Sequence, residues 1–168
     1  MGGKATISLR PALPTDTPVL AALFRASIFE LAEEDYSERQ LEAWSGLADD
    51  EEAFGQKLAD TLTIVALQGG AIVGFASLKG ADVLDMLYVH PEAARSGVAT
   101  QLCDAIEKLA GARKTVKITA DVSDCAQPFF ASRGYEPQRR NMTFIGEEVL
   151  GNTTMTKDLA PVTTGKMQ

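Results

Sequence analysis

Histidine occurs once in this sequence and cysteine twice, and each scarcity removes a class of chemistry. A hydrolase built on Ser/His/Asp or Cys/His would have to use His90, which stands directly before Pro91 at the end of a strand-like run. One histidine and two separated cysteines, Cys103 and Cys125, do not provide zinc-ligand spacing, so no metal is expected. A single disulfide between them would be an unusual framework, and both read as buried small hydrophobes or bystanders. No apolar run approaches the ~18–20 residues that span a bilayer. Basic residues are also in deficit, 16 against 23 acids for a net charge of −7, which argues against nucleic acid as a partner. Internal repeats, low-complexity tracts and linkers are absent, and Met1-Gly2-Gly3-Lys4-Ala5 leads into a strand-like segment without a charged-then-apolar leader. One domain in the cytoplasm is the expectation.

What is present is an ordinary globular composition, 45% hydrophobic and 23% charged over 168 residues, enough to bury a core. Residues 30–52 hold ten acids against one base, Arg39. Two readings stay open: solvated helix faces, or an acidic patch that attracts a cationic amine.

Residues 6–10 alternate as a short strand, ended by Pro11 and Pro14. Thr15 or Asp16 is expected to cap a helix with Leu20, Leu23, Phe24, Ile28 and Leu31 in one stripe. Ser37 and Gln40 form a capping box before a second helix that Gly46 closes. A third is expected over 50–60. The pattern then turns to strands at 63–67, 71–78 and 83–89, with Gln68-Gly69-Gly70 as a tight hairpin. A helix over 97–111 leads to a strand at 115–121, which implies a parallel βαβ pair. A short helix at 124–133 and two strands, 138–144 and 149–157, complete an α/β order.

Chemistry concentrates in Asp85-Met86-Leu87-Tyr88-Val89-His90-Pro91-Glu92 and Ala93-Ala94-Arg95-Ser96-Gly97-Val98-Ala99-Thr100. A strand runs through a loop of small residues into a helix, and the first amides of that helix have no intrahelical acceptor. Such an end suits a diphosphate, and a side chain at Gly97 or Ala99 would hold phosphate oxygens off the backbone. A plain strand-to-helix turn is the alternative.

These residues resemble the core motif of the GCN5-related N-acetyltransferases (GNATs), a Leu-Tyr-Val-x-Pro strand end before Q/R-x-x-G-x-G/A. Downstream, Ser123, Ala126, Phe129, Phe130, Gly134 and Tyr135 resemble the family's N-x-x-A-x-x-F-Y-x-x-x-G-F segment. The resemblance implies a GNAT acyl-CoA N-acyltransferase fold over residues 5–159: a mixed, mostly antiparallel sheet with a central βαβ parallel splay and helices on both faces. Residues 160–168 would be a flexible tail. It further implies an N-acetyltransferase that moves an acetyl group from acetyl-CoA, a co-substrate, to a primary amine of a small molecule or peptide. By this resemblance the phosphates lie on the backbone of Arg95, Ser96, Gly97, Val98, Ala99 and Thr100. The pantetheine arm pairs with Leu87 and Val89 beside Tyr88, Ser123 and Phe130. The first three helices and the last hairpin would form the acceptor pocket, and a homodimer is a further implication.

Three positions depart from the family pattern. Ala94 replaces the leading Gln/Arg, with Arg95 beside it. Ser123 replaces an Asn that contacts pantetheine. Phe130 stands where a Tyr general acid is frequent, and it has no proton to give a departing thiolate. Asp85 is the candidate base, placed by alternation on the face of Leu87 and Val89; a solvated strand-end carboxylate is the other reading. Tyr36 and Tyr88 are candidate proton donors, whereas Tyr135 reads as core. The loss of the acid also motivates a non-catalytic acyl-CoA binding or sensing domain.

Overall fold

The computed structural model describes residues 6–160; the rest of the expected tail, from residue 161, lies outside the described residues. The elements run β1 (Ile7–Pro11), α1 (Thr17–Leu31), α2 (Glu38–Ser45), α3 (Glu51–Ala59), β2 (Leu62–Gln68), β3 (Ala71–Lys79) and β4 (Val83–Val89). They continue α4 (Val98–Ala112), β5 (Lys117–Ser123), α5 (Gln127–Ser132), β6 (Glu136–Ile145) and β7 (Glu148–Asp158). One seven-stranded sheet has the order β1-β2-β3-β4-β5-β7-β6. Every pair is antiparallel except β4–β5, because the α4 crossover returns the chain in the same direction. None of the helices among the described residues is long and apolar enough to cross a membrane.

Helices cover both faces of the sheet. On one side Val98, Leu102, Ile106 and Ala110 of α4 pack on Ala76, Leu78, Leu84, Ile118 and Met155. Leu102 and Ile106 are fully buried, and each such side chain contributes about 1.5–3 kcal/mol. On the other side α1, α2 and α3 bury Leu20, Phe24, Ile28, Leu41 and Phe54 against Val65, Phe75 and Met86.

The local signals account for most boundaries. Ser37 Oγ accepts from Gln40 N–H at 3.2 Å and Gln40 Oε1 accepts from Ser37 N–H at 2.8 Å, which closes the expected capping box. Gln40 Nε2 also donates to Val149 O at 2.8 Å, fastening α2 to β7. Asp50 caps α3 by accepting from Ala53 N–H at 3.0 Å.

Three expectations need correction. Asp16 gives α1 no side-chain cap; its carboxylate takes Arg10 and the Leu13 N–H instead, and a 3-10 turn, Pro14–Asp16, precedes the helix. α5 is shorter than 124–133, since Ser123–Ala126 closes as a turn with Ala126 N–H donating to Ser123 O at 3.1 Å. Of the elements expected to form the acceptor pocket, only α1 lines the cleft described below; α2 and the last hairpin do not, and α3 borders a separate groove of about 680 Å³ with Leu13, Pro18 and Leu62.

Candidate functional site

The site begins where the sheet opens. β4 and β5 pair at one register position, Val83 with Thr119, and Thr119 N–H donates to Asp82 O at 2.9 Å. Beyond it the edge of β4 has no ladder to β5. His90 N–H crosses to Val73 O on β3 at 2.8 Å. Backbone direction alternates along a strand, so Tyr88 also faces β3 while Leu87 and Val89 turn N–H and C=O into the gap. Two hydrogen-bonding residues are thereby offered to an extended ligand.

A β-bulge sits at the foot of this gap. Ser77 pairs with Met86 and Leu78 with Leu84, so Asp85 is the extra residue. The alternation used to orient Asp85 is interrupted here, because Leu84 already belongs to the same core as Leu87 and Val89. Asp85 Oδ2 is buried and lacks a hydrogen-bond partner among the described residues.

At the other end of the gap stands the N-terminus of α4. Gly97 precedes the helix at φ 90° with open space around its Cα, a conformation that favours glycine. Gln101 N–H makes the first helical bond, to Gly97 O at 3.0 Å, which leaves the amides of Val98, Ala99 and Thr100 without intrahelical acceptors. The Ser96 amide, expected among the anion donors, is instead bonded to Ala93 O at 3.3 Å. Val98 sends its side chain into the core. Gly74 on β3 permits this, since a Cβ there would meet Val98 Cγ1 at 2.8 Å.

Between these features lies a cleft of about 720 Å³. Leu87, Tyr88 and Val89 line it on one side, Arg95, Gly97, Ala99 and Thr100 at the helix end, and Cys125, Ala126, Phe129 and Phe130 opposite. Ser27, Ile28 and Leu31 of α1 close the remaining wall. Ser96, Val98, Ser123 and Asp85 are outside the lining; Ser123 Oγ lies 3.2 Å from Cys125 Sγ just behind it. Phe130 packs edge-on against Tyr135 at 4.9 Å, and both are buried, so Tyr135 is core as its position after Gly134 implies.

Tyr88 sits among Phe24, Trp44 and Phe75, and its hydroxyl accepts from Trp44 Nε1 at 3.3 Å. Burial holds that phenol protonated well above its usual range. The Tyr36 hydroxyl is engaged twice, accepting from Asp124 N–H and donating to Gly151 O, each at 2.9 Å. It is a cross-link between segments, and burial raises its pKa too. His90 Nδ1 accepts from Glu92 N–H at 3.1 Å, a local cap of the turn after β4. Both cysteines are free. Cys103 is fully buried, whereas Cys125 reaches the cleft and burial raises its thiol pKa. The ten acids of residues 30–52 are all exposed, which matches solvated helix faces. Asp35 among them acts electrostatically on Cys125.

Cys125 is not among the residues expected from sequence, and α1 is expected only as part of the acceptor pocket, with none of its residues named. Cys125 lies two residues from Ser123 inside the second motif, a signal that would have placed it; Ile28 and Leu31 carry only the periodicity of a core helix.

Comparison with known proteins places this geometry. Residues 32–158 match the family model described as an acetyltransferase (GNAT) domain. YafP of Escherichia coli (strain K12), an uncharacterized N-acetyltransferase, is 34% identical over 130 residues, covering 77% of this chain and 81% of YafP. A crystal structure from Rhodopseudomonas palustris, described as a GCN5-related N-acetyltransferase, aminotransferase class II, is 53% identical. Its TM-score is 0.91, over 95% of this chain and 99% of that one. The PaiA N-acetyltransferase of Thermoplasma acidophilum, in complex with coenzyme A, is 20% identical with a TM-score of 0.77, over 91% and 99% of the two chains.

Proposed function

The chain belongs to the GNAT acetyltransferase family, and from that premise we propose that it transfers acetyl directly from acetyl-CoA to a primary amine of a small molecule or peptide. One observation carries the reading. The unpaired edge of β4 and the free amides at the start of α4 open into the same cleft, an arrangement that fits a long ligand with an amide-bearing arm and a diphosphate. The coenzyme A complex of PaiA supports the choice of ligand.

The residues divide the work as follows. The amides of Val98, Ala99 and Thr100 and the bare backbone of Gly97 hold diphosphate oxygens, with Arg95 adding a charge-assisted contact. Leu87 and Val89 pair with the arm like a further strand, and Ser123 supports it from behind Cys125. Acetyl-CoA supplies the activated acyl group, a thioester. The Val89 N–H, aimed into the gap, stabilises the charge that develops on the thioester oxygen. Asp85, outside the cleft lining at the foot of the gap, takes a proton from the ammonium through water so that a neutral nitrogen can attack. As the carbon–nitrogen bond forms and the carbon–sulfur bond breaks, the sulfur must be protonated. With Phe130 unable to do so, Tyr88 is assigned that proton, and the second proton that the nitrogen sheds on becoming an amide restores its phenol. Exposed acids of residues 30–52, Asp35 among them acting on Cys125, favour a cationic acceptor.

Phe130 also favours a second reading, a domain that binds acyl-CoA without turnover. Thiol release from acetyl-CoA, measured with polyamines, amino acids, aminoglycosides and N-terminal peptides, separates the two. Turnover with any amine establishes the enzyme; tight binding without turnover across the panel establishes the sensor. Gly97→Glu places a carboxylate among the phosphates and is expected to abolish coenzyme A binding by calorimetry. Unchanged affinity in that variant would refute the site.

A further inference from the structure

We propose that Arg140 is a positioning residue for the acyl-donor site, seated on the bare backbone of Gly151 and acting through Asp124. The proposal rests on the acyl-CoA reading above. Asp124 stands between Ser123 and Cys125, in the turn that joins β5 to α5 and borders the cleft. Its side chain is held by both guanidinium nitrogens of Arg140, the longer arm at 3.1 Å. Arg140 Nη1 also donates to Thr153 Oγ1 at 3.3 Å. The backbone of Asp124 is held separately, its N–H donating to the Tyr36 hydroxyl, which donates in turn to Gly151 O. Three segments distant in sequence, the α1–α2 connection, β6 and β7, thus converge on a residue that stands next to Cys125 of the cleft wall.

Gly151 makes the seat. A Cβ at this position would lie 2.1 Å from Arg140 Nη2 and 2.8 Å from its Cζ. The φ of Gly151 lies outside the positive range, so the backbone conformation permits alanine, and the nearest atoms its Cβ would meet all belong to the guanidinium. The clashing atoms end a flexible side chain, and the inexpensive response is for Arg140 to swing off Asp124. Arg140 neutralises as well as positions, because the Asp124 charge acts on both Tyr36 and Cys125. Without it a carboxylate is left uncompensated beside the cleft, and the turn carrying Ser123 and Cys125 loses its hold on the last hairpin.

The experiment compares acetyl-CoA affinity by calorimetry, with KM and kcat where turnover is found, for the unaltered chain and for Arg140→Ala, Arg140→Lys, Gly151→Ala and the double variant Arg140→Ala/Gly151→Ala. Arg140→Ala is expected to raise Kd and KM for acetyl-CoA roughly tenfold with a smaller change in kcat. Gly151→Ala is expected to match it although the arginine is still present, and the double variant to be no worse than either single one. Arg140→Lys, which keeps the charge but not the two-pronged contact, should recover part of the loss. Melting temperature should move little, since half-exposed ion pairs add little stability. Normal affinity in Arg140→Ala and Gly151→Ala, or additive effects in the double variant, overturns the positioning role alone. Failure of the unaltered chain to bind acetyl-CoA overturns the acyl-CoA reading instead.

Discussion

Cys125 and Cys103 form an internal pair of probes. Cys125 lines the cleft, whereas Cys103 is fully buried in the α4 core with its thiol pKa pushed up to about 11 by burial. Burial raises the Cys125 pKa as well, so at neutral pH it is mostly protonated and alkylation accelerates as pH rises. Saturating coenzyme A should slow Cys125 alkylation tenfold or more, with Cys103 unlabelled in the native protein in either condition; peptide mass mapping reads both sites. An unchanged Cys125 rate would mean that the ligand occupies another place. The Tyr88 hydroxyl is tested by removing one oxygen. Tyr88→Phe keeps the ring against Phe24 and Phe75 and loses the acceptor for Trp44. It should lower kcat by about 10²-fold while leaving acetyl-CoA affinity near normal, as expected when a proton-transfer group is lost. Full kcat in that variant would exclude Tyr88 as the proton source.

At the scale of the element, the position of α4 decides whether its amides reach the cleft. Gly74 lets the first turn lie close on β3. An added Cβ meets Val98 Cγ1 at 2.8 Å, Leu102 Cδ1 at 3.1 Å and the backbone oxygen of Tyr88 at 3.1 Å, and the last of these has little room to move. Gly74→Ala is expected to cost about 1–3 kcal/mol through overpacking and to lift the N-terminus of α4 from the sheet. Denaturant midpoint and coenzyme A affinity should therefore fall together, and a loss of stability with full affinity would detach the two. The splay has the same character. One register position joins β4 to β5, and the bulge at Asp85 turns β4 just above it.

For the molecule as a whole, Glu107 ties the crossover helix to the C-terminal part of the sheet. Its carboxylate accepts from Lys157 Nζ at 2.8 Å, the Tyr135 hydroxyl at 3.0 Å and Arg133 Nη2 at 3.1 Å. Burial by itself would raise the pKa of Glu107, but the three donors outweigh it and the net shift is downward. A carboxylate depressed in the folded state stabilises above its unfolded value, and that contribution is lost as pH falls through the folded value. Stability should thus be fully supported above pH 4.5, the ordinary value, and decline on acidification. Glu107→Gln is expected to cost about 1–3 kcal/mol at neutral pH and to flatten the acid limb of the unfolding curve. An acid limb identical to that of the unaltered protein would remove Glu107 from this role.

What could be read from the chain itself was local. Apolar spacing of two or of three and four marked the strands and helices, Ser37 with Gln40 marked a helix start, and Leu87 to Thr100 marked the strand–loop–helix whose amides face outward. Each depends on residues a few positions apart, where backbone geometry dictates what meets. The motif resemblance added the fold and the donor. Only the tertiary structure decided that Asp85 is a bulge, that the Ser96 amide is occupied, that α3 stands away from the cleft, and that Cys125, Ile28 and Leu31 line it. The same holds for the junction at Asp124, where Tyr36 joins residues 88 and 115 positions away. Such meetings are set by strand order, register and splay, which bring distant side chains together without leaving a period or spacing in the sequence.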